Sequence, residues 1–64
     1  MNEKLQREMD EAARKAIDAL ARYKFWTFAY NAAWWVKLNR LAEAKRPNPF
    51  RRIVLVAKDM AANG

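Results

Sequence analysis

From Asn2 to Arg46 the chain contains neither glycine nor proline, and its apolar residues keep one helical phase throughout. Leu5, Met9, Ala12, Ala13, Ala16, Ile17 and Leu20 recur at three- and four-residue steps, leaving the charges on the other side, which is the pattern of an amphipathic helix. The phase continues along two adjacent rows. One holds Leu20, Tyr23, Thr27, Tyr30, Trp34, Leu38 and Leu41; its neighbour holds Ile17, Leu20, Phe28, Asn31, Trp35, Leu38 and Ala42. A residue ahead of proline is pushed out of the α region, so the first firm stop is Arg46-Pro47. The sequence therefore predicts one long helix over about 3–45, roughly 65 Å at 1.5 Å per residue. The alternative is a break within residues 23–31, where aromatics and Thr27 lower helix propensity, giving a compact three-helix monomer.

Local chemistry supports the helix at its start. Asn2 suits an N-cap and Glu3 suits the first turn. Glu3 with Arg7, Asp10 with Arg14, Glu11 with Lys15 and Asp18 with Arg22 are acid-before-base pairs at four-residue spacing, each worth a few tenths of a kcal/mol. Beyond the stop, Asn48 suits a second N-cap, Pro49 the first helical position and Asn63-Gly64 a C-terminal end. Phe50, Ile53, Val54, Ala57, Met60 and Ala61 share one face of a second helix over about 49–62. The β-branched run Ile53-Val54-Leu55-Val56 could also make a strand, but a lone strand would have no partner except its own copy. The fold class is all-α, a single domain over 1–64 built as a helical hairpin.

That hairpin leaves apolar surface uncovered. Residues 25–36 are apolar on every helical face, and a helix hydrophobic all round is buried all round. A chain of 64 residues without cysteine has little core of its own and no disulfide to support it, so the hairpin is expected to complete itself in a homo-oligomeric bundle. Phe25, Trp26, Phe28, Tyr30, Trp34, Trp35 and Leu38 are the expected contacts for self-association or for another protein, since Trp and Tyr dominate interface hot spots. Asn31, set among them, reads as a polar residue that fixes register, and Thr27 can bond its own preceding turn.

The charge of +6 is unevenly placed. Residues 37–59 hold Lys37, Arg40, Lys45, Arg46, Arg51, Arg52 and Lys58 against Glu43 and Asp59. Lys37, Arg40, Lys45, Arg46, Arg51 and Arg52 are the expected contacts for an anionic partner: nucleic acid, an acidic protein or a membrane surface. No zinc finger, basic zipper or RNA-recognition motif accompanies them, so a nucleic-acid reading rests on charge alone. Lys24 and Lys37 bracket an apolar stretch of about 18 Å, too short to span a bilayer, though an interfacial cationic helix fits.

Catalysis is not expected. There is no cysteine or histidine, the only glycine is the last residue, and the carboxylates of the first helix lie among Lys and Arg that keep them ionised. No cofactor and no metal site is predicted. The first twenty residues mix both charges without a signal-like apolar stretch, which makes a cytoplasmic location the default.

The aromatic spacing of residues 23–41, followed by Pro47-Asn48-Pro49-Phe50, resembles small uncharacterised helical proteins carried by bacteriophages and other mobile elements. The resemblance covers the chain from Tyr23 onward and carries no functional motif. It implies an accessory protein acting by binding, a class that includes inhibitors of host defence systems such as CRISPR nucleases. The function expected is a non-enzymatic helical protein that self-associates and binds a macromolecular partner. The alternatives are a nucleic-acid-binding accessory protein and a peripheral membrane helix.

Overall fold

The computed structural model describes residues 3–63 and contains three helices: α1, Glu3–Ala21; α2, Phe25–Leu41; and α3, Arg51–Asn63. No strand occurs among the described residues. The N-cap assigned to Asn2 and the end assigned to Gly64 lie outside them. The long helix expected over 3–45 is corrected to two helices, and the two-helix hairpin to three helices.

The break is a complete helix-ending motif built without glycine. Tyr23 adopts a left-handed backbone with φ of 65°. Its N–H donates to the Leu20 carbonyl at 3.1 Å, and the Lys24 N–H reaches back to the Ala19 carbonyl at 2.8 Å. This pair of reversed bonds satisfies two carbonyls that a helix end would otherwise orphan, the pattern of a Schellman cap. A non-glycine residue in this region costs about 1–3 kcal/mol. The Tyr23 ring lies edge-on to Phe25 at 6.1 Å between centroids, a contact that helps to offset the strain.

After this turn α2 runs back along α1, and the two helices pack against each other. Met9, Ala12, Ala16 and Ala19 of α1 are buried, as are Trp35 and Leu38 of α2. The small residues of α1 let its backbone approach the large ring of Trp35. Of the two rows read through α2, the one holding Phe28, Asn31, Trp35, Leu38 and Ala42 faces inward, while Tyr23, Thr27, Tyr30, Trp34 and Leu41 are exposed.

The segment after α2 is tied down by polar contacts. Lys45 Nζ donates to the carbonyls of Ala42 at 2.7 Å and Arg40 at 3.1 Å, covering the negative end of α2. The Arg46 guanidinium crosses to α1, donating to Gln6 Oε1 and Asp10 Oδ1, each at 2.9 Å. Asp10 is thereby taken from its expected partner, and Arg14 pairs instead with Glu11 at 2.7 Å.

Asn48 Oδ1 accepts the Phe50 N–H at 2.7 Å, as an N-cap side chain does, and Pro49 and Phe50 form the turn into α3. The run Ile53-Val54-Leu55-Val56 is helical. Phe50 is buried edge-on against Phe28 and Trp35, at 5.7 and 6.2 Å between centroids, and Ile53 packs partly on the same cluster. The other residues of the stripe, Val54, Ala57, Met60 and Ala61, are exposed, and α3 lies along neither α1 nor α2. The radius of gyration is 12.9 Å, against about 11 Å for an ordinary compact domain of this length, because α3 projects from the hairpin.

Candidate interaction surface

The seven aromatic and apolar residues expected to mediate association divide between two sides of α2. Trp26 and Trp35 are nine residues, or about two and a half turns, apart and so face in opposite directions. Trp35, Leu38 and the half-buried Phe28 belong to the chain's own core. The structure thus uses them internally, where the sequence placed them at an interface. Phe25, Trp26 and Tyr30 are exposed, Trp26 at 87% and Tyr30 at 69%, and Trp34 lies at the margin at 39%.

The outward stripe of α2 is Trp26, Tyr30, Ala33, Lys37 and Leu41, with Ala29 and Arg40 beside it. Leu41 is also largely exposed. Ala33, Val36, Lys37, Arg40 and Leu41 line a shallow apolar hollow toward its C-terminal end. Asn31, on the inward row of α2, is half-buried and donates to the Thr27 carbonyl at 2.9 Å on its own preceding turn. It is satisfied within the helix, with no partner chain needed to bond it.

The six basic residues also divide. Arg46 and Lys45 hold the 42–50 segment in place through the bonds described above. Lys37, Arg40, Arg51 and Arg52 are exposed and form no ion pair among the described residues. No Asp or Glu occurs from Ala19 to Ala42, so the outward face of α2 carries cations without a single acid of its own helix. The acids of the first third of the chain sit on α1, on the other side of α2. Among these, Glu11 is held below its ordinary range mainly by the hydrogen bond from Arg14, with burial opposing and the charges of Arg14 and Lys15 adding to the shift. The Arg14 guanidinium is correspondingly raised.

An open cleft between the start of α1 and the chain after α2 is lined by Glu3, Gln6, Arg7, Asp10 and Glu43. All but Gln6 are exposed, and Arg46 already occupies the Gln6 and Asp10 oxygens. General acid–base chemistry needs a sheltered carboxyl, which this cleft does not offer. Among the described residues no group of side chains is arranged to hold a metal ion, and no helix is long and apolar enough to cross a membrane.

Asn39 is a structural determinant that carries no signal in periodicity or charge, and Tyr23 stands in the sequence only as one member of an apolar row. No family model, curated protein or solved structure matches the chain.

Proposed function

We propose that the chain is a non-enzymatic binding protein that meets its partner through the outward face of α2. The observation that supports this reading is the exposure of Trp26 and Tyr30 one turn apart on a helix whose opposite side already forms the core. Large exposed rings flanked by cations are the composition of a binding surface, and folding within the chain does not account for them.

A second reading is self-association, favoured by the uncovered stripe Val54, Ala57 and Met60 on α3. Pairing of α3 with α3 of another copy would bury it, completing the small core from outside as the short chain requires.

Sedimentation equilibrium separates the two. Dimers or larger species that dissociate in Val54→Ser/Met60→Ser but persist in Trp26→Ala/Tyr30→Ala support self-association through α3. A monomer across the accessible concentration range removes it and leaves the α2 face as the binding surface. That surface is itself rejected if Trp26→Ala/Tyr30→Ala, with helix content intact, leaves every measured interaction of the protein unchanged.

A further inference from the structure

We infer that the partner of the outward α2 face is the surface of an anionic lipid bilayer, with Trp26 and Tyr30 at headgroup level and Lys37 and Arg40 against lipid phosphates. This rests on the binding role proposed above and names the chemistry of the partner.

The first argument is the composition of the face. Trp26, Ala29, Tyr30, Ala33 and Leu41 present rings and short hydrocarbon together, with the exposed hydroxyl of Thr27 at the margin. α2 is apolar all round; α1 covers its inner side, and the outer side lacks an apolar cover. A lipid interface supplies one, and it accepts the polar edges of Trp and Tyr at the same depth.

Charge complementarity is the second argument. The cations Lys37 and Arg40 sit on or beside the outward stripe, Lys24 precedes the helix, and the helix carries no acid to repel an anionic leaflet. Basic residues near such a surface are each attracted appreciably, and the attraction falls off within a Debye length. α1, which bears Glu3, Glu8, Asp10, Glu11 and Asp18, lies on the far side of α2. A second copy seated on the same face would instead oppose Lys37 and Arg40 with their own equivalents.

Length decides how the helix would sit. Lys24 and Lys37 are about 20 Å apart along the axis, less than the roughly 30 Å hydrocarbon core, so α2 would lie on the bilayer without spanning it. A single-stranded nucleic acid would use the rings and the cations of α2 but would leave Leu41 in water.

The test uses the full chain with phosphatidylcholine vesicles, with and without phosphatidylserine, read by co-sedimentation and tryptophan emission. The expected result is binding to the serine-containing vesicles at low salt, reversed by molar salt, with a blue shift in emission. Trp26→Phe should keep the binding and lose most of the shift. Trp26→Ala/Tyr30→Ala, with unchanged helix content, should weaken binding about tenfold or more. The inference is overturned if anionic vesicles do not bind, if the double variant binds them as well as the parent, or if Trp26→Phe retains the full shift. Titration with a single-stranded oligonucleotide tells the two levels apart. Oligonucleotide binding that requires Trp26 and Tyr30, without vesicle binding, removes the lipid inference and keeps the binding face. A double variant that behaves as the parent toward both ligands removes both.

Discussion

The side chain of Asn39 holds the backbone of Arg46 at two points: its Nδ2 donates to the Arg46 carbonyl at 3.1 Å, and its Oδ1 accepts the Arg46 N–H at 2.9 Å. The two residues are seven apart, and the clamp turns the chain at the end of α2 so that the Arg46 guanidinium reaches Gln6 and Asp10 on α1. One amide thereby positions a cross-helix contact in which it takes no part. Replacing Asn39 by Ala should cost about 1–3 kcal/mol, since both backbone groups of Arg46 are partly buried and would lose their partner. Urea denaturation measures the loss; a variant as stable as the parent would show that the segment is held by Lys45 and Phe50 without the clamp.

Tyr23 offers a gain in stability. Tyr23→Gly relieves the left-handed strain of about 1–3 kcal/mol, and the loss of the edge contact with Phe25 offsets part of it. The melting temperature should rise by several degrees, as about 1 kcal/mol moves a domain of this size by roughly 4–8 °C. Tyr23→Val should lower it, because a β-branched residue tolerates this region poorly. Equal melting of the two variants would be inconsistent with the observed turn.

Phe50 is the joint between α3 and the hairpin. Phe50→Ala should cost about 3–5 kcal/mol, as for large aromatic truncations in cores, and should expose Trp35 to water. Circular dichroism should show helix lost in excess of any global unfolding, and Trp emission should move to the red. Emission that stays at the parent wavelength would mean that Trp35 is shielded without the Phe50 ring.

Acid should weaken the first helix through Glu11. The Arg14 hydrogen bond holds this carboxyl below its ordinary value of 4.5 in the folded chain. Its contribution is therefore fully present above that value and is lost as pH falls below it, through the lowered folded-state value. Glu11→Gln should flatten the acid limb of the stability–pH curve slightly and leave neutral pH nearly unchanged, because Glu11 is on the surface. With no histidine in the chain, no side chain with an ordinary pKa titrates between pH 6 and 7.

Helix on either side of the Pro47 turn was legible in periodicity, because it depends on local residue choice, but α2 ends at Leu41, ahead of the stop read at Arg46-Pro47. A break within residues 23–31 was legible only as the alternative to a continuous helix, and its placement at Tyr23 was not. A Schellman cap normally announces itself by glycine, and here an aromatic residue occupies the left-handed position without disturbing the phase of the rows on either side. Everything read from a continuous helix inherited that omission. Folding α2 back on α1 supplies Phe28, Trp35 and Leu38 with cover from the same chain, which removes part of the need for another copy. The aromatic segment was legible as a surface of interest, but the choice of which rings face outward depends on which side α1 covers. Asn39 left no mark at all, since a lone amide near a helix end is common and its partner, Arg46, stood out only as a charge.

The slender attachment of α3 gives the chain two levels of protection from solvent exchange. Backbone amides around Ala12, Ala16, Trp35 and Leu38 can open only with the packed hairpin, whereas those of residues 55–63 are released by a local event that disturbs little beyond Ile53. The hairpin closes through neighbouring segments, and the C-terminal arm is joined to it through one ring and one aliphatic side chain.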